Sequence, residues 1–342
     1  MTTLYVTHPR YVEHDLPAHP EHAGRIRAIW RRLDESGLTA RMIAVEAPPI
    51  ERDVILTVHT PAYIALLEKL SGLDRTVRLD ADTYANPSSY DIACLSAGGG
   101  IRAIDAVLSG EAANALAAIR PPGHHAMPDH GMGFCLLSNI AIAARYAQKQ
   151  YQVKRVLIVD YDVHHGNGTE AAFYADPSVL FISTHQQNLY PGTGRVEETG
   201  AGDGRGYNIN LPLPGGHGDE SYAALYREIV WKAAERFQPE LILVSAGFDA
   251  HWSDPLAGIQ LTLDGLAHLT SELKRMADQL CGGKIVYFVE GGYNLDALSH
   301  GVANIARILL GDAAVDPMGA APQSPRTDID AYIQRVKQVH GL

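Results

Sequence analysis

The stretch that decides the fold runs from Arg155 to Glu170 and reads Arg-Val-Leu-Ile-Val-Asp-Tyr-Asp-Val-His-His-Gly-Asn-Gly-Thr-Glu. Its first half, Val156 to Val159, is a run of branched apolar residues, which is typical of a buried strand in a parallel sheet. Asp160, Asp162 and His164 follow where that strand ends. Buried polar groups are costly without partners, and open α/β sheets bind ligands at the carboxyl ends of their strands. Since Asp162 and His164 alternate on one strand face, we predict that both bind a catalytic metal.

The composition bounds the class of protein. The chain has 342 residues, of which 46% are hydrophobic and 20% charged, and these values predict a globular protein with a large core. A formal net charge of −11 argues against binding to nucleic acid. Cys94, Cys135 and Cys281 lack metal-motif spacing, which predicts a reducing compartment without disulfides. We find no basic leader and no apolar segment of membrane-spanning length, so we expect a cytoplasmic protein that contacts no membrane.

Strand-like and helix-like patterns alternate along the chain. The runs that predict strands are 4–7, 115–119, 156–159, 179–184, 241–244 and 285–289. The runs that predict helices are 26–33, 60–72, 88–110, 139–150, 221–237, 263–280 and 295–310. This alternation predicts an α/β fold, a parallel sheet with helices on both faces. The three glycines Gly98 to Gly100 lie inside one predicted helix, where we expect close packing.

The pattern also divides the chain into regions. We interpret residues 1–311 as one catalytic domain and residues 312–326 as an Ala/Pro-rich tether. Residues 327–342 form an amphipathic helix that we expect to pack back on the body, with a contact between subunits of a homo-oligomer as the alternative. Residues 74–87 and 186–206 read as long irregular loops, and loops of that length are usually functional.

Polar side chains follow four of the predicted strands. They are His124 and His125, then Asp160, Asp162 and His164, then Asp249, and finally Tyr293. Parallel strands direct these ends to one edge of the sheet. A catalytic zinc takes three protein ligands and leaves room for water, and Asp162, His164 and Asp249 supply two oxygens and one nitrogen. Each residue alone also fits an ordinary strand-end or helix-capping role; the combination favours the metal.

The remaining strand-end groups suit proton transfer and oxyanion binding. His124 and His125 follow a rigid Pro-Pro-Gly turn, and neutral imidazole suits a general acid or base near pH 7. Tyr293 follows two glycines and would donate to a developing oxyanion. The alternatives are loop histidines bonded to backbone and a buried tyrosine with a satisfied hydroxyl. Glycine-rich stretches at 131–134 and 191–194 lack the residues of a nucleotide site, which we reject.

Seven motifs, in order, resemble those of one enzyme superfamily. They are Arg120-Pro-Pro-Gly-His-His125, Gly131-Met-Gly-Phe-Cys135, Asp160-Tyr-Asp-Val-His-His-Gly-Asn-Gly168, Tyr190-Pro-Gly-Thr-Gly194, Ser245-Ala-Gly-Phe-Asp249, Asp254-Pro-Leu256 and Glu290-Gly-Gly-Tyr293. The chain thereby resembles the zinc-dependent histone deacetylase and acetylpolyamine amidohydrolase superfamily. The residues of its motifs are similar to those of the class II branch and its bacterial relatives. The resemblance covers about residues 4–310. It implies a three-layer α/β/α fold with a mostly parallel, eight-stranded sheet, as in arginase.

The resemblance also implies a role for each site residue. Zn²⁺ would be held by Asp162, His164 and Asp249, with His124, His125 and Tyr293 as catalytic groups. Structural potassium is implied at a first site with Asp160, Asp162, His164, Ser183 and Thr184, and at a second with Phe173, Asp176, Val179 and Tyr207. The walls of a substrate tunnel would be Gly133, Phe134, Tyr190 and Leu256, with Asp82 or Thr83 at its rim.

The implied reaction is metal-assisted hydrolysis of an acetylated amine. His125 would remove the proton of the water, Tyr293 would hold the oxyanion, and an imidazolium would protonate the departing amine. Asp160 would orient His124. Asn167 replaces the aspartate that supports His125 in class I enzymes and brings no negative charge, so we expect a less basic His125.

Several alternatives stay open at this stage. Binuclear manganese enzymes of the arginase type need a further carboxylate at the position of Gly166, which argues against them. A non-catalytic acyl-lysine binder is disfavoured by the retention of all candidate catalytic residues. The substrate is either acetyl-lysine in peptides and proteins, which Leu256 favours, or an acetylpolyamine, which the acidic loop with Glu13, Asp15 and Glu21 keeps possible. The accepted acyl length and the metal used in the cell (Zn²⁺, Fe²⁺ or Co²⁺) also stay open.

Overall fold

The central element of the structure is an eight-stranded sheet. The computed structural model describes residues 2–342. Its strands are β1 (Thr3–Thr7), β2 (Ile43–Glu46), β3 (Val77–Arg78), β4 (Tyr84–Ala85), β5 (Asn114–Ala117), β6 (Val156–Asp160), β7 (Val179–Gln186), β8 (Asn208–Leu213), β9 (Leu241–Ala246) and β10 (Ile285–Val289). The sheet has the order β2-β1-β5-β10-β9-β6-β7-β8, and β3 and β4 form a separate hairpin. Every neighbouring pair in the large sheet is parallel, which confirms the predicted fold class.

Helices cover the sheet in two layers. They are α1 (Gly24–Glu35), α2 (Arg52–Ile55), α3 (Pro61–Ser71), α4 (Ser89–Ser109), α5 (Asn139–Tyr151), α6 (Asn167–Phe173), α7 (Asp219–Leu225), α8 (Trp231–Phe237), α9 (Leu263–Leu280), α10 (Leu295–Leu310) and α11 (Asp330–His340). Helices α3, α4 and α5 pack together, as do α1, α10 and α9, and both groups reach β5 through α4 and α10. The three layers follow because the strands are apolar on both faces.

The four strands that lead to the candidate site residues are consecutive neighbours in the middle of the sheet. Their order is β5, β10, β9 and β6. The register aligns their carboxyl ends to within one residue, since Asp160 pairs with Ser245, Ser245 with Phe288 and Phe288 with Ala117. The segments after these strands therefore emerge side by side at one edge, as ligand sites in α/β sheets do.

Several elements differ from the sequence-based expectation. The edge strands β2 and β8 were not predicted, because β2 is only four residues long and β8 contains Pro212, which the interior of a sheet excludes. The 74–87 loop contains the β3–β4 hairpin. The predicted helix over 221–237 begins at Asp219 and passes through a π-helical segment, Tyr226–Val230, between α7 and α8.

Helix α4 corrects the expectation that no segment reaches membrane-spanning length. It has 21 residues and is apolar enough to cross a membrane by length and composition, but 72% of its most apolar window is buried inside the protein. Its glycines explain why it lies so deep. A Cβ on Gly98 would lie 1.8 Å from the Pro48 carbonyl oxygen, and one on Gly100 would lie 2.5 Å from Phe288. Close packing at these glycines is therefore confirmed.

The C-terminal region lies on the body of the protein. Ile333 and Val336 of α11 are buried, and Lys337 forms an ion pair with Glu228 of the π-helical segment at 2.6 Å. The preceding residues 312–326 contain no helix or extended strand. They are nevertheless held by backbone hydrogen bonds, including one of 2.8 Å from the Arg326 amide to the Gly216 carbonyl.

Candidate metal centre and substrate pocket

Three predicted metal ligands meet at the carboxyl edge of the sheet. Asp162 and His164 follow β6 and Asp249 follows β9; one donor atom from each lies within 4.8 Å of the others. His164 Nδ1 is 3.1 Å from Asp162 Oδ1 and 3.2 Å from Asp249 Oδ2. The other carboxylate oxygens accept backbone N–H groups, from Gly291 to Asp162 at 2.8 Å and from Val163 to Asp249 at 3.0 Å. Both carboxyl groups are thereby oriented toward the imidazole.

The electrostatics of this cluster fit a bound cation. Burial lowers the pKa of His164, but its hydrogen bonds to the two aspartates outweigh burial and raise that pKa to about 10. Burial and the nearby Asp162 charge raise the pKa of Asp249. Two fully buried carboxylates thus attract positive charge to this cluster. Two oxygens and one imidazole nitrogen are a donor set that suits a catalytic zinc ion.

The adjacent histidines are held in different states. His124 Nδ1 donates to Asp160 Oδ2 at 2.9 Å, and His125 Nδ1 donates to Asn167 Oδ1 at 2.7 Å. Burial lowers the pKa of His124, but Asp160 and Asp162 raise it to about 10. Burial, followed by the positive charge of His124, lowers the pKa of His125 well below its usual value. One imidazole is therefore positively charged and the other neutral at pH 7.

The Asn167 amide has a fixed orientation. Its NH₂ group faces two thioether sulfurs, Met127 Sδ at 3.2 Å and Met132 Sδ at 3.3 Å. Sulfur is a weak acceptor but cannot donate. The amide oxygen therefore faces His125, and the imidazole keeps the lone pair on Nε2 for the pocket.

Glu290 supports the turn that carries the histidines, a role that the sequence reasoning missed. Its Oε2 accepts the Gly123 amide at 2.7 Å and the His124 amide at 3.3 Å, and its Oε1 accepts the Ser245 hydroxyl at 2.9 Å. Burial raises the pKa of Glu290 to about 7. An acid directly after an apolar strand was the available signal, but its partners lie after β5 and on β9.

A buried charge cluster lies behind Tyr293 and was also missed. The Arg25 guanidinium lies 5.1 Å from the centre of the Tyr293 ring and donates to the Gly292 carbonyl at 2.8 Å. Glu21 accepts from Arg25 at 3.1 Å and from Arg120 at 2.6 Å. Burial raises the pKa of Tyr293 well above its usual value, so the phenol stays protonated and can donate. Glu21 comes from an N-terminal loop and Arg25 from α1, and sequence spacing connects neither to the site; Arg120 follows β5 and begins the motif that contains His124.

A narrow pocket of about 270 Å³ leads to these groups. Its lining residues are Pro20, Asp82, His125, Gly133, Phe134, His164, Leu189, Tyr190, Leu256 and Tyr293. The Phe134 and Tyr293 rings meet edge to face at 5.7 Å, and His125 and Tyr190 do so at 5.2 Å. All four predicted tunnel residues thus line one cavity together with two candidate catalytic groups.

The two residues predicted for the rim lie in different places. Asp82 lines the pocket, whereas Thr83 is only 1% exposed and does not line it. The Thr83 hydroxyl instead accepts the Phe134 amide at 3.0 Å. The side chain turns inward because that buried amide needs an acceptor.

Two further histidines hold the loop that carries Tyr190. His165 Nδ1 is 2.8 Å from Thr193 Oγ1, and His185 Nε2 donates to the Gly194 carbonyl at 2.9 Å. Gly194 has φ +87°, and a Cβ there would lie 2.5 Å from His185. Hydrogen bonds from two buried imidazoles therefore fix the position of the loop that forms one wall of the pocket.

The residues predicted to bind potassium form two groups. Asp160 pairs with Ser183 across the sheet, and the Thr184 hydroxyl lies 3.4 Å from the Asp160 carbonyl oxygen. The second group is Phe173, Asp176, Val179 and Tyr207, in which Asp176 forms an ion pair with Arg145. The Arg145 guanidinium also lies 4.5 Å from the centre of the Phe173 ring. Potassium binding stays a prediction at both places.

A buried cluster of two carboxylates and an imidazole, beside paired histidines at the floor of a narrow pocket, is typical of a hydrolytic metal centre. Comparison with known proteins identifies the family. Residues 19–309 match the histone deacetylase domain, and the chain belongs to the histone deacetylase family. The family and fold predicted from the seven motifs are thereby confirmed.

Relatives and a solved structure agree with this assignment. Histone deacetylase 10, chloroplastic, of Oryza sativa subsp. japonica is 42% identical over 359 aligned positions, which span 99% of this chain and 81% of that protein. The histone deacetylase-like amidohydrolase of Pseudomonas aeruginosa is 45% identical over 276 positions, which span 80% and 72%. The HDA15 HD domain has a TM-score of 0.91 at 36% identity and covers 99% of this chain and 96% of its own. Because two relatives are named as chloroplastic, the cytoplasmic location stays a prediction.

Proposed function

We propose that this protein is a zinc-dependent amidohydrolase that removes acetyl groups from the side-chain amine of acetyl-lysine. The observation that carries the proposal is the buried cluster of Asp162, His164 and Asp249 at the end of a narrow pocket that neutral His125 and protonated Tyr293 also line. The relatives named as deacetylases and amidohydrolases support the reaction class.

Different residues of the chain carry out proton transfer and oxyanion binding during hydrolysis. When bound, a zinc ion supplies a Lewis acid for the acetyl oxygen and lowers the pKa of a water molecule. His125 accepts a proton from the water through Nε2, since its Nδ1 proton is held by Asn167. The Tyr293 hydroxyl donates to the negative charge that develops on the acetyl oxygen.

Product formation requires a proton donor for the amine. The water oxygen bonds to the acetyl carbon, the carbon–nitrogen bond breaks, and the nitrogen takes a proton from an imidazolium. Protonated His125 is that donor, because it lines the pocket. His124 stays positively charged beside Asp160 and stabilises the developing negative charge.

The shape of the pocket favours an extended alkyl chain. Phe134, Tyr190 and Leu256 form apolar walls that suit the methylene groups of a lysine side chain. The acidic N-terminal loop gives less support to a polyamine than its composition suggests. Glu21 is fully buried against two arginines, and Glu13 is paired with Arg10 at 2.9 Å.

A second candidate function is the deacetylation of small acetylpolyamines. One observation favours it: Asp82 lines the pocket and would attract a second ammonium group. Burial and the neighbouring Asp80 raise the pKa of Asp82. Leucine at position 256 brings no further negative charge, so acetyl-lysine remains the preferred substrate.

Kinetics on matched substrates test the proposal. The protein loaded with zinc is assayed for kcat/KM on an acetyl-lysine peptide and on acetylputrescine, acetylcadaverine and acetylspermidine, with Tyr293→Phe as the inactive control. We expect acetate release from the peptide with at least about tenfold higher kcat/KM, which corresponds to about 1.4 kcal/mol. A preference for a polyamine would contradict the proposed substrate. Binding of acetyl-lysine without release of acetate would contradict the proposed reaction.

A further inference from the structure

A second cavity, of about 400 Å³, opens at the opposite edge of the sheet from the candidate metal centre. Arg155, Arg205, Arg236 and His340 are among the residues that line it. Arg155 directly precedes β6, whereas Asp160 ends that strand. A rise of about 3.3 Å per residue places the two sites roughly 16 Å apart along the strand. The cavity is therefore separate from the pocket described above.

The charges that line this cavity have one sign. Arg155, Arg205 and Arg236 are its fully charged residues, and no aspartate or glutamate lines it. Arg155 is paired with Glu240 at 3.1 Å. Among residues 2–342, Arg205 and Arg236 form no ion pair; Arg236 donates only to the carbonyls of His340 and Gly341, at 3.2 and 3.3 Å. Carbonyl oxygens orient a guanidinium but do not neutralise it, so two positive charges remain in a concave site of a chain whose net charge is −11.

His340 supplies a second, independent observation. His340 is only 8% exposed, and neither of its ring nitrogens makes a hydrogen bond of acceptable geometry within the described residues. An unpaired buried donor costs about 1–3 kcal/mol, so such groups usually have a partner. The Val196 carbonyl lies near the ring and favours protonation, although burial has the larger effect and lowers the pKa. The ring lines the same cavity as the two unpaired arginines.

We propose that this cavity binds a small organic phosphate, with Arg205, Arg236 and His340 as donors to the phosphate oxygens. Guanidinium groups present fork-like pairs of N–H donors that match phosphate geometry. A volume of about 400 Å³ exceeds that of one phosphate and is in the usual range for small-molecule pockets. Leu180, Phe237 and Tyr207 give the organic part of the ligand an apolar and aromatic surface. This inference does not depend on the proposed deacetylase activity.

Calorimetric titration of the full chain at constant ionic strength tests the proposal. The probes are phenyl phosphate, inorganic phosphate and phenyl sulfonate. We expect saturable binding at one site, tightest for phenyl phosphate. Arg205→Gln and His340→Ala should each weaken it at least about tenfold, as loss of a charge-assisted hydrogen bond implies. Tighter binding of inorganic phosphate would overturn the organic part of the proposal, and equal binding of the singly charged sulfonate would overturn the selection for phosphate.

A matched control separates a site from general charge. Arg227→Gln removes one positive charge from a side chain that is 68% exposed and lies outside the cavity. We expect it to leave the affinity unchanged. Arg205 is exposed and unpaired, so its variant should keep the melting temperature of the parent protein. If the Arg205→Gln and Arg227→Gln variants bind phenyl phosphate equally well, or if no saturable binding occurs, the cavity is not a phosphate site.

Discussion

His125 and Asn167 are joined by a hydrogen bond of 2.7 Å between the imidazole Nδ1 and the amide oxygen. The amide oxygen accepts the Nδ1 proton without bringing a charge. His125 is buried beside the positively charged His124, and both effects lower its pKa. The strength of the proposed general base is therefore set by a neutral partner in a site where the other histidine has an aspartate.

Replacing Asn167 with aspartate should make His125 more basic. A carboxylate stabilises the protonated imidazole, so the pKa of His125 rises, and the acidic limb of the kcat/KM profile for an acetyl-lysine peptide moves to higher pH. We expect a shift of about one pH unit, equivalent to about 1.4 kcal/mol. Asn188→Asp, at an exposed loop position, is the control and should leave the limb in place. An acidic limb that stays where it is in Asn167→Asp would show that Asn167 does not tune the base.

Removal of one proposed metal ligand should abolish metal binding without unfolding the protein. In Asp249→Asn a negative charge is removed from a buried cluster in which the two carboxylates repel each other, so the metal-free protein should be at least as stable as the parent. Zinc content measured by mass spectrometry after dialysis should fall from about one equivalent to near zero. Loss of a metal-based acid should lower kcat by at least about a thousandfold. Asp264→Asn, at the start of α9, should keep the metal; stoichiometric zinc in Asp249→Asn would contradict the ligand assignment.

The hydrogen bond between His165 and Thr193 should matter for substrate binding more than for chemistry. Thr193→Val removes the hydroxyl that lies 2.8 Å from His165 Nδ1 and leaves a buried nitrogen unpaired, at a cost of about 1–3 kcal/mol. The loop with Tyr190 should then lose its fixed position, which raises KM about five- to tenfold while kcat changes little. Steady-state kinetics on the acetyl-lysine peptide measure both KM and kcat. Thr193→Ser keeps the hydroxyl and should restore the parental KM; an equal defect in both variants would assign the effect to packing of the methyl group.

A carboxylate at position 256 should change substrate preference. Leu256 lines the pocket, and in Leu256→Glu a negative charge would face the second ammonium group of an acetylpolyamine. One added ion pair in a partly buried site is worth about 1–2 kcal/mol, so the ratio of kcat/KM for acetylspermidine over acetyl-lysine peptide should rise about tenfold. Leu256→Gln has nearly the same size without the charge and serves as the reference. If both variants show the same ratio, position 256 acts through shape alone.

Glu21 should stabilise the fold in a pH-dependent way. Burial raises its pKa, but Arg120 and Arg25 outweigh burial and lower it to about 2. A carboxyl group with a lowered pKa stabilises the folded state above its unfolded pKa, near 4.5, and loses this contribution as pH falls toward 2. In urea unfolding at pH 7, Glu21→Gln should cost about 3 kcal/mol, and the difference from the parent protein should shrink steadily below pH 4.5. Glu13→Gln, at a partly exposed ion pair, should cost less than about 1 kcal/mol. A constant difference across the pH range would exclude the charge of Glu21 as the cause.

The sequence by itself determined the class of fold and the identity of the central residues. The apolar run 156–159 and the strands at 241–244 and 285–289 predicted a buried parallel sheet, because their pattern depends only on local burial. Polar residues at strand ends then pointed to one edge, which the register confirms. Asp162, His164 and Asp249 could be grouped because parallel strands bring their carboxyl ends together whatever the loops between them do.

Only the tertiary structure decided which groups support Asp162, His164 and Asp249, and which charged side chains are left without a partner of opposite charge. Glu290 contacts residues after β5 and on β9, and Arg25 reaches the segment after β10 from a distant helix, so spacing along the chain carries no trace of either contact. The burial of Thr83 and the neutralisation of Glu21 likewise depend on long-range packing. Hydrophobic periodicity reports which face of an element is buried, whereas the partner of a buried polar atom is decided only when the layers come together.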